Sequence, residues 1–219
     1  MHQPTSVGWM DVFGIENNTK GHIMAIKTLT AKFSGIAPLV QNNPQTVDPF
    51  NAYSKLKKPL VKKRSKTDED LMALRNIDIE SRLFYDEKLG VYVPTRWVMA
   101  LIAKNAYELT RISKAKIRGA VFVVGEKSKL TYDGMDTVKK IDDIVKNERF
   151  HYIRITPQRS ERLAKIFPIF HKWRFEVEIE YEDKIINKSD MKRILEYGAK
   201  YGGFGDWRPG MGRALCEVA

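Results

Sequence analysis

The stretch Arg174-Phe175-Glu176-Val177-Glu178-Ile179-Glu180-Tyr181 alternates without fault. Phe175, Val177, Ile179 and Tyr181 share one parity; Arg174, Glu176, Glu178 and Glu180 share the other. That is the period of a β-strand with one face on a core and one in water. Downstream, Asn187 or Ser189 caps a helix on which Met191, Ile194, Leu195 and Gly198 share a face, and Gly202 and Gly203 stop it. A glycine-rich loop follows, and Ala214 to Val218 closes as a strand. Upstream, Phe150 to Thr156 and Ala120 to Val124 read as strands, with a helix between them capped by Asp136 and carrying Val138, Ile141, Ile144 and Val145. Pro94 and Thr95 open the clearest helix, striped by Val98, Leu101, Ile102, Asn105, Leu109 and Ile112. Before it, Leu83 to Tyr85 and Val91 to Val93 form a hairpin, and Ile23 to Phe33 is the first strand.

This order predicts an α+β fold with a mainly antiparallel sheet, close to the ferredoxin-like plan with helices on one face. A single domain over residues 1–219 carries an N-terminal arm at 1–21 and a long basic insertion at 35–80, which holds only a short helical pattern at Leu71, Leu74 and Arg75. Such an excursion reads as an arm over a ligand or as a linker.

Lysine and arginine total 38 against 27 acids, a net charge of +11, as expected of a partner rich in phosphates. The excess is concentrated. Lys55, Lys57, Lys58, Lys62, Lys63, Arg64 and Lys66 form an acid-free run in which Pro59 argues against a continuous helix. A second bias covers Arg154, Arg159, Arg162, Lys165, Lys172 and Arg174. Aromatic residues interleave with these cations, a pattern suited to stacking bases while holding phosphates. Trp173 and Trp207 are expected to be exposed, and Phe150, Phe175 and Tyr181 buried.

Other chemistries lack their residues. The glycine loop runs from helix to strand, whereas phosphate-binding fingerprints run from strand through glycines into a helix. Four histidines without paired spacing and one cysteine, Cys216, predict no metal, no disulfide and no cofactor. The absence of a secretory leader and of a membrane-length apolar run points to a soluble, cytoplasmic protein. His151 and His171 lie near basic, aromatic segments and are the candidate bases for a metal-independent ribonuclease.

The tail Gly203-Phe204-Gly205-Asp206-Trp207-Arg208-Pro209-Gly210-Met211-Gly212-Arg213, after the last helix and before a terminal strand, resembles the glycine-rich loop of the RAMP superfamily, the RNA-recognition-motif-like subunits of CRISPR effector complexes. Gly35-Ile36-Ala37-Pro38-Leu39 and Val93-Pro94-Thr95 resemble the first strand and a helix start of that superfamily's backbone subunits. The whole pattern also resembles small proteins carried by phages and prophages. The resemblance implies Gly203, Gly205, Gly210 and Gly212 as backbone that a strand can approach, with Arg208 and Arg213 as phosphate contacts. The histidine of the RNA-processing branch has no clear counterpart here.

Together these features lead us to expect a non-enzymatic binder of single-stranded DNA or RNA. It would use a basic sheet face and the glycine loop, with the basic insertion closing over the strand, and the resemblance implies copies lined up along it. Phage replication, recombination or a CRISPR-related process is the implied setting. An endoribonuclease and a protein-binding inhibitor or assembly subunit are the alternatives.

Overall fold

The structure, a computed structural model, describes residues 26–158 and 161–219, with the backbone alone at 156–158 and 161–163. The arm expected at 1–21, the first residues of the strand read from Ile23, Arg159 and the side chain of Arg162 lie outside the described residues. In chain order the elements are β1 (Ile26–Gly35), β2 (Leu39–Val40), α1 (Ala52–Lys62), α2 (Asp68–Arg82), β3 (Tyr85–Asp86) and β4 (Gly90–Pro94). There follow α3 (Arg96–Thr110), α4 (Lys114–Ala120), β5 (Val121–Val123), β6 (Lys127–Lys129) and α5 (Ile141–Val145). The chain ends with β7 (His151–Gln158), β8 (Glu161–Phe170), β9 (Arg174–Glu182), α6 (Lys188–Tyr197) and β10 (Ala214–Val218).

The fold is mixed α+β with antiparallel sheets. The alternating stretch at 174–181 becomes β9, an inner strand of a four-stranded sheet ordered β10-β1-β9-β5 in which every neighbouring pair is antiparallel. Leu29, Ala31 and Phe33 of β1 and Phe175, Val177, Ile179 and Tyr181 of β9 are buried. They pack in one cluster with Leu101 and Ile102 of α3 and with Met191, Ile194 and Leu195 of α6. Helices thus cover one face of this sheet, because the parity of β1 and β9 and the 3.6-residue stripes of α3 and α6 put their apolar sides together. Gly198 lets α6 approach α3: a Cβ there would lie 2.4 Å from Leu101 Cδ2. A second sheet, β2-β8-β7, and a third, β3-β4-β6, flank the first.

Four local expectations are corrected. Residues 35–80 are not an open loop but contain β2, α1 and most of α2. Pro59 does not break the basic run and sits inside α1. Its ring removes one helical hydrogen bond, but α1 is held against α2 by Tyr53 Oη donating to Glu80 at 3.0 Å, by the Lys57–Asp78 ion pair, and beyond its end by Lys63–Asp70 at 2.6 Å. Asp136 caps no α-helix; it lies in a 3₁₀ turn, Met135–Thr137, and the helix begins only at Ile141, where the Asp143 carboxylate accepts from the amides of Lys139 and Lys140 at 2.8 and 3.0 Å. Finally, β8 is a ten-residue strand that the basic reading of its sequence did not anticipate.

Candidate nucleic-acid interface

The glycine loop is built by close approach of backbone to backbone. Gly203, Gly205 and Gly212 all adopt positive φ, and a Cβ on Gly212 would lie 1.8 Å from the Phe204 carbonyl oxygen. One on Gly205 would lie 2.3 Å from the Val40 carbonyl oxygen. The amides of Phe204, Asp206 and Gly212 donate to the carbonyls of Gly212, Val40 and Pro38 at 2.8, 2.9 and 2.7 Å. Three of the four glycines that the resemblance assigned to a ligand therefore face the protein's own chain, and these amides are already engaged. Only Gly210 has open space beside it, its nearest neighbour being the Trp207 carbonyl oxygen at 3.6 Å.

What the loop presents outward is its tip. Trp207, expected to be exposed, is instead partly buried against Val40, Phe167 and Ile169 and held at φ 59°, a left-handed conformation that costs an aromatic residue strain. Its indole Nε1–H is buried with no acceptor among the described residues. Arg154 of β7 lies over the ring, its guanidinium carbon 3.9 Å from the centroid, and Phe167 of β8 meets the ring edge-on at 5.6 Å. Arg154 stands opposite Lys165 in the β7–β8 ladder, so both side chains leave the same face of the hairpin, and both are exposed.

Beyond Trp207 a cleft of about 420 Å³ is lined by Lys104 of α3, Tyr201, Gly202, Asp206, Trp207, Arg208 and Pro209. Tyr201 is 56% exposed and tilts against Tyr197 with ring centroids 4.9 Å apart, while Lys200 Nζ sits 5.4 Å from the Tyr201 centroid. Among the described residues none of Lys104, Arg154, Lys165, Lys200, Arg208 and Arg213 has an ion-pair partner. Asp206, the acid in the cleft, is tethered by Asn42 at 2.9 Å. The result is an unneutralised cationic surface around exposed tyrosine rings.

The other expected residues divide differently. Trp173 is fully buried, not exposed: its ring fills the space where Gly35 lacks a Cβ, and its Nε1–H donates to the Ala37 carbonyl at 2.8 Å. Lys57 and Lys63 are paired with aspartates, whereas Lys55, Lys58, Lys62 and Arg64 are exposed and Lys66 is partly exposed on or just beyond α1. His151 has both ring nitrogens engaged. Its Nε2 lies 3.0 Å from the Val145 carbonyl, which can only accept, and its Nδ1 lies 3.1 Å from Arg75 Nη2, which can only donate. Burial first and the Arg75 charge after it press its pKa below the ordinary histidine value, so the ring is a neutral structural bridge. His171 is exposed at the β8–β9 turn, where its carbonyl accepts from the Asp133 amide at 3.0 Å.

The sheet face expected to be basic is acidic. Opposite the helices, β9 presents Glu176, Glu178, Glu180 and Glu182, and β10 presents Glu217, against Lys32, Arg174 and, from β6, Lys129. Glu176 approaches Lys32 at 3.9 Å rather than Arg174. The cations that concentrate near the loop were partly missed in the sequence. Tyr197, Tyr201, Lys104 and Lys200 lie on helical segments, and only the packing of α3 on α6 brings them to the loop. No family model matches the chain, and no curated protein matches it.

Proposed function

We propose that this protein binds single-stranded nucleic acid without cleaving it, along the surface formed by the outer β7–β8 hairpin, the tip of the glycine loop and the cleft between α3 and the end of α6. The carrying observation is a set of cations without ion-pair partners among the described residues: Lys104 and Arg208 line one cleft with the exposed Tyr201 and with Trp207, Lys200 lies beside Tyr201, and Arg154, with Lys165 opposite it, lies over Trp207. Bases stack on exposed rings while the cations hold phosphates, a mode tolerant of sequence and worth about 1–3 kcal/mol per stacked base. Strain and an orphaned N–H at Trp207 favour the same place, since a loop held against its own preferences is commonly a working one.

The strand therefore runs over the loop and helix side rather than across the sheet, whose glutamates repel phosphate. The β10-β1-β9-β5 order, with α3 between β1 and β5 and α6 between β9 and β10, supports the ferredoxin-like plan made of two interlocked strand-helix-strand halves. The same order supports the RAMP-like reading of the loop, with Arg208 and Arg213 retained as phosphate contacts.

Titration of a labelled single-stranded oligonucleotide at several salt concentrations tests this reading. Affinity is expected to fall steeply with salt, and Arg208→Ala should lower the slope of log K against log salt by about one, the release of one counterion. Tyr201→Ala should leave that slope unchanged and weaken binding by about 5- to 150-fold, the loss of one stacking platform. Binding that is absent, or that ignores both substitutions, overturns the reading.

A further inference from the structure

We propose that the open face of the four-stranded sheet is a docking surface for helix α1 of a second copy of this chain. Along β9 the carboxylates of Glu178, Glu180 and Glu182 follow one another on this face with no ion-pair partner among the described residues. Between and beside them stand apolar side chains that a purely solvated face does not carry. Phe122, opposite Glu180, is 58% exposed, and Ile26, opposite Glu182, is 61% exposed. Val124 adds to the same end of the sheet, its amide donating to the Glu178 carbonyl at 2.9 Å. Rings and branched chains set among unpaired carboxylates suit a partner that is both cationic and apolar.

Helix α1 has that chemistry. None of its residues is buried, and Lys55, Lys58 and Lys62 fall at i, i+3 and i+7, so they form one exposed stripe without ion-pair partners among the described residues. Leu56 and Val61 flank the stripe, 58% and 53% exposed. The dimensions agree. From Lys55 to Lys62 the lysine stripe runs about 10 Å along the helix, and from Glu178 to Glu182 the carboxylate row runs about 13 Å along β9. One helix on one sheet buries less than the roughly 800 Å² per partner of a standard interface, so the contact is weak and sensitive to salt.

The docking surfaces include none of Tyr201, Arg208 or Arg154, so this proposal and the nucleic-acid reading stand or fall separately. The test is sedimentation of the full chain after nuclease treatment and removal of all nucleic acid. Wild type is expected to associate at low ionic strength and to dissociate at high. The double variants Glu178→Lys/Glu180→Lys and Lys58→Glu/Lys62→Glu should each sediment as monomers, and mixing the first with the second should restore a complex, because one carries the reversed sheet and an intact helix and the other the reverse. The two reversals placed in one chain should also restore self-association. A monomeric wild type at low salt, association unmoved by either reversal, or failure of the combined chain to associate while the wild type does, overturns the proposal. Oligonucleotide binding that is absent from the wild type, or unmoved by the loop variants, with assembly intact would remove only the earlier reading.

Discussion

At the scale of single residues, glycine and histidine positions carry the clearest consequences. Gly212 combines φ 71° with a Cβ position 1.8 Å from the Phe204 carbonyl oxygen. Gly212→Ala therefore brings both a left-handed backbone penalty and a clash with backbone that cannot rotate away, and should cost about 3 kcal/mol or more, read as a lowered midpoint of urea unfolding. His151 predicts a pH dependence. Its folded pKa is depressed, so the unfolded chain takes up the proton first, near pH 6.5; the stability contributed by the neutral bridge is complete above that value and is lost as the pH falls towards the folded pKa. Thermal unfolding should shift downward between about pH 7 and pH 5, and His151→Gln should flatten that part of the profile. Asp86 acts in a separate window. Lys127, together with the Leu89 and Lys88 amides, holds its carboxyl down at about 2, so its contribution is present above the ordinary carboxylate value and disappears only in stronger acid.

At the scale of elements, the helix that sequence rules denied is the instructive one. Proline inside α1 costs up to about 3 kcal/mol relative to alanine, and contacts with α2 offset it. Pro59→Ala should therefore raise the urea midpoint, by less than that full amount because the substitution also frees the unfolded chain, a result that equilibrium unfolding with fluorescence detection can check. Strands divide in the same way. Clean alternation made β9 readable, whereas Ile166 to Phe170 of β8 is buried at every position, so it offers no period to read and contains a proline besides. α3 was legible because its stripe is unbroken and it starts where Pro94 and Thr95 indicate, although Thr95 spends its hydroxyl on the Gly125 carbonyl at 2.6 Å rather than on a cap.

At the scale of the whole molecule, what matters is how the +11 charge is distributed. The layer of α3, α4 and α6 exposes Lys104, Arg111, Lys114, Lys116, Arg118, Lys188, Lys192, Arg193 and Lys200 against Glu108 and Glu196, while the far side of the sheet carries five glutamates, three of them exposed and two half-buried, against Lys32, Lys129 and Arg174. The two proposals thus place a polyanion and a cationic helix on opposite sides of one sheet. The elements whose periods are complete, the burial of Phe150, Phe175 and Tyr181, and the glycine loop's position between a helix and the last strand can be read from the residues alone, because alternation, helical stripes and turn residues act over a few neighbours. Which aromatic rings remain in water follows from long-range packing. Trp173 disappears into the gap left by Gly35, 138 positions away, and Tyr201 becomes available because α6 settles on α3. Such outcomes depend on volumes matched between distant segments, and no local pattern in the chain encodes them.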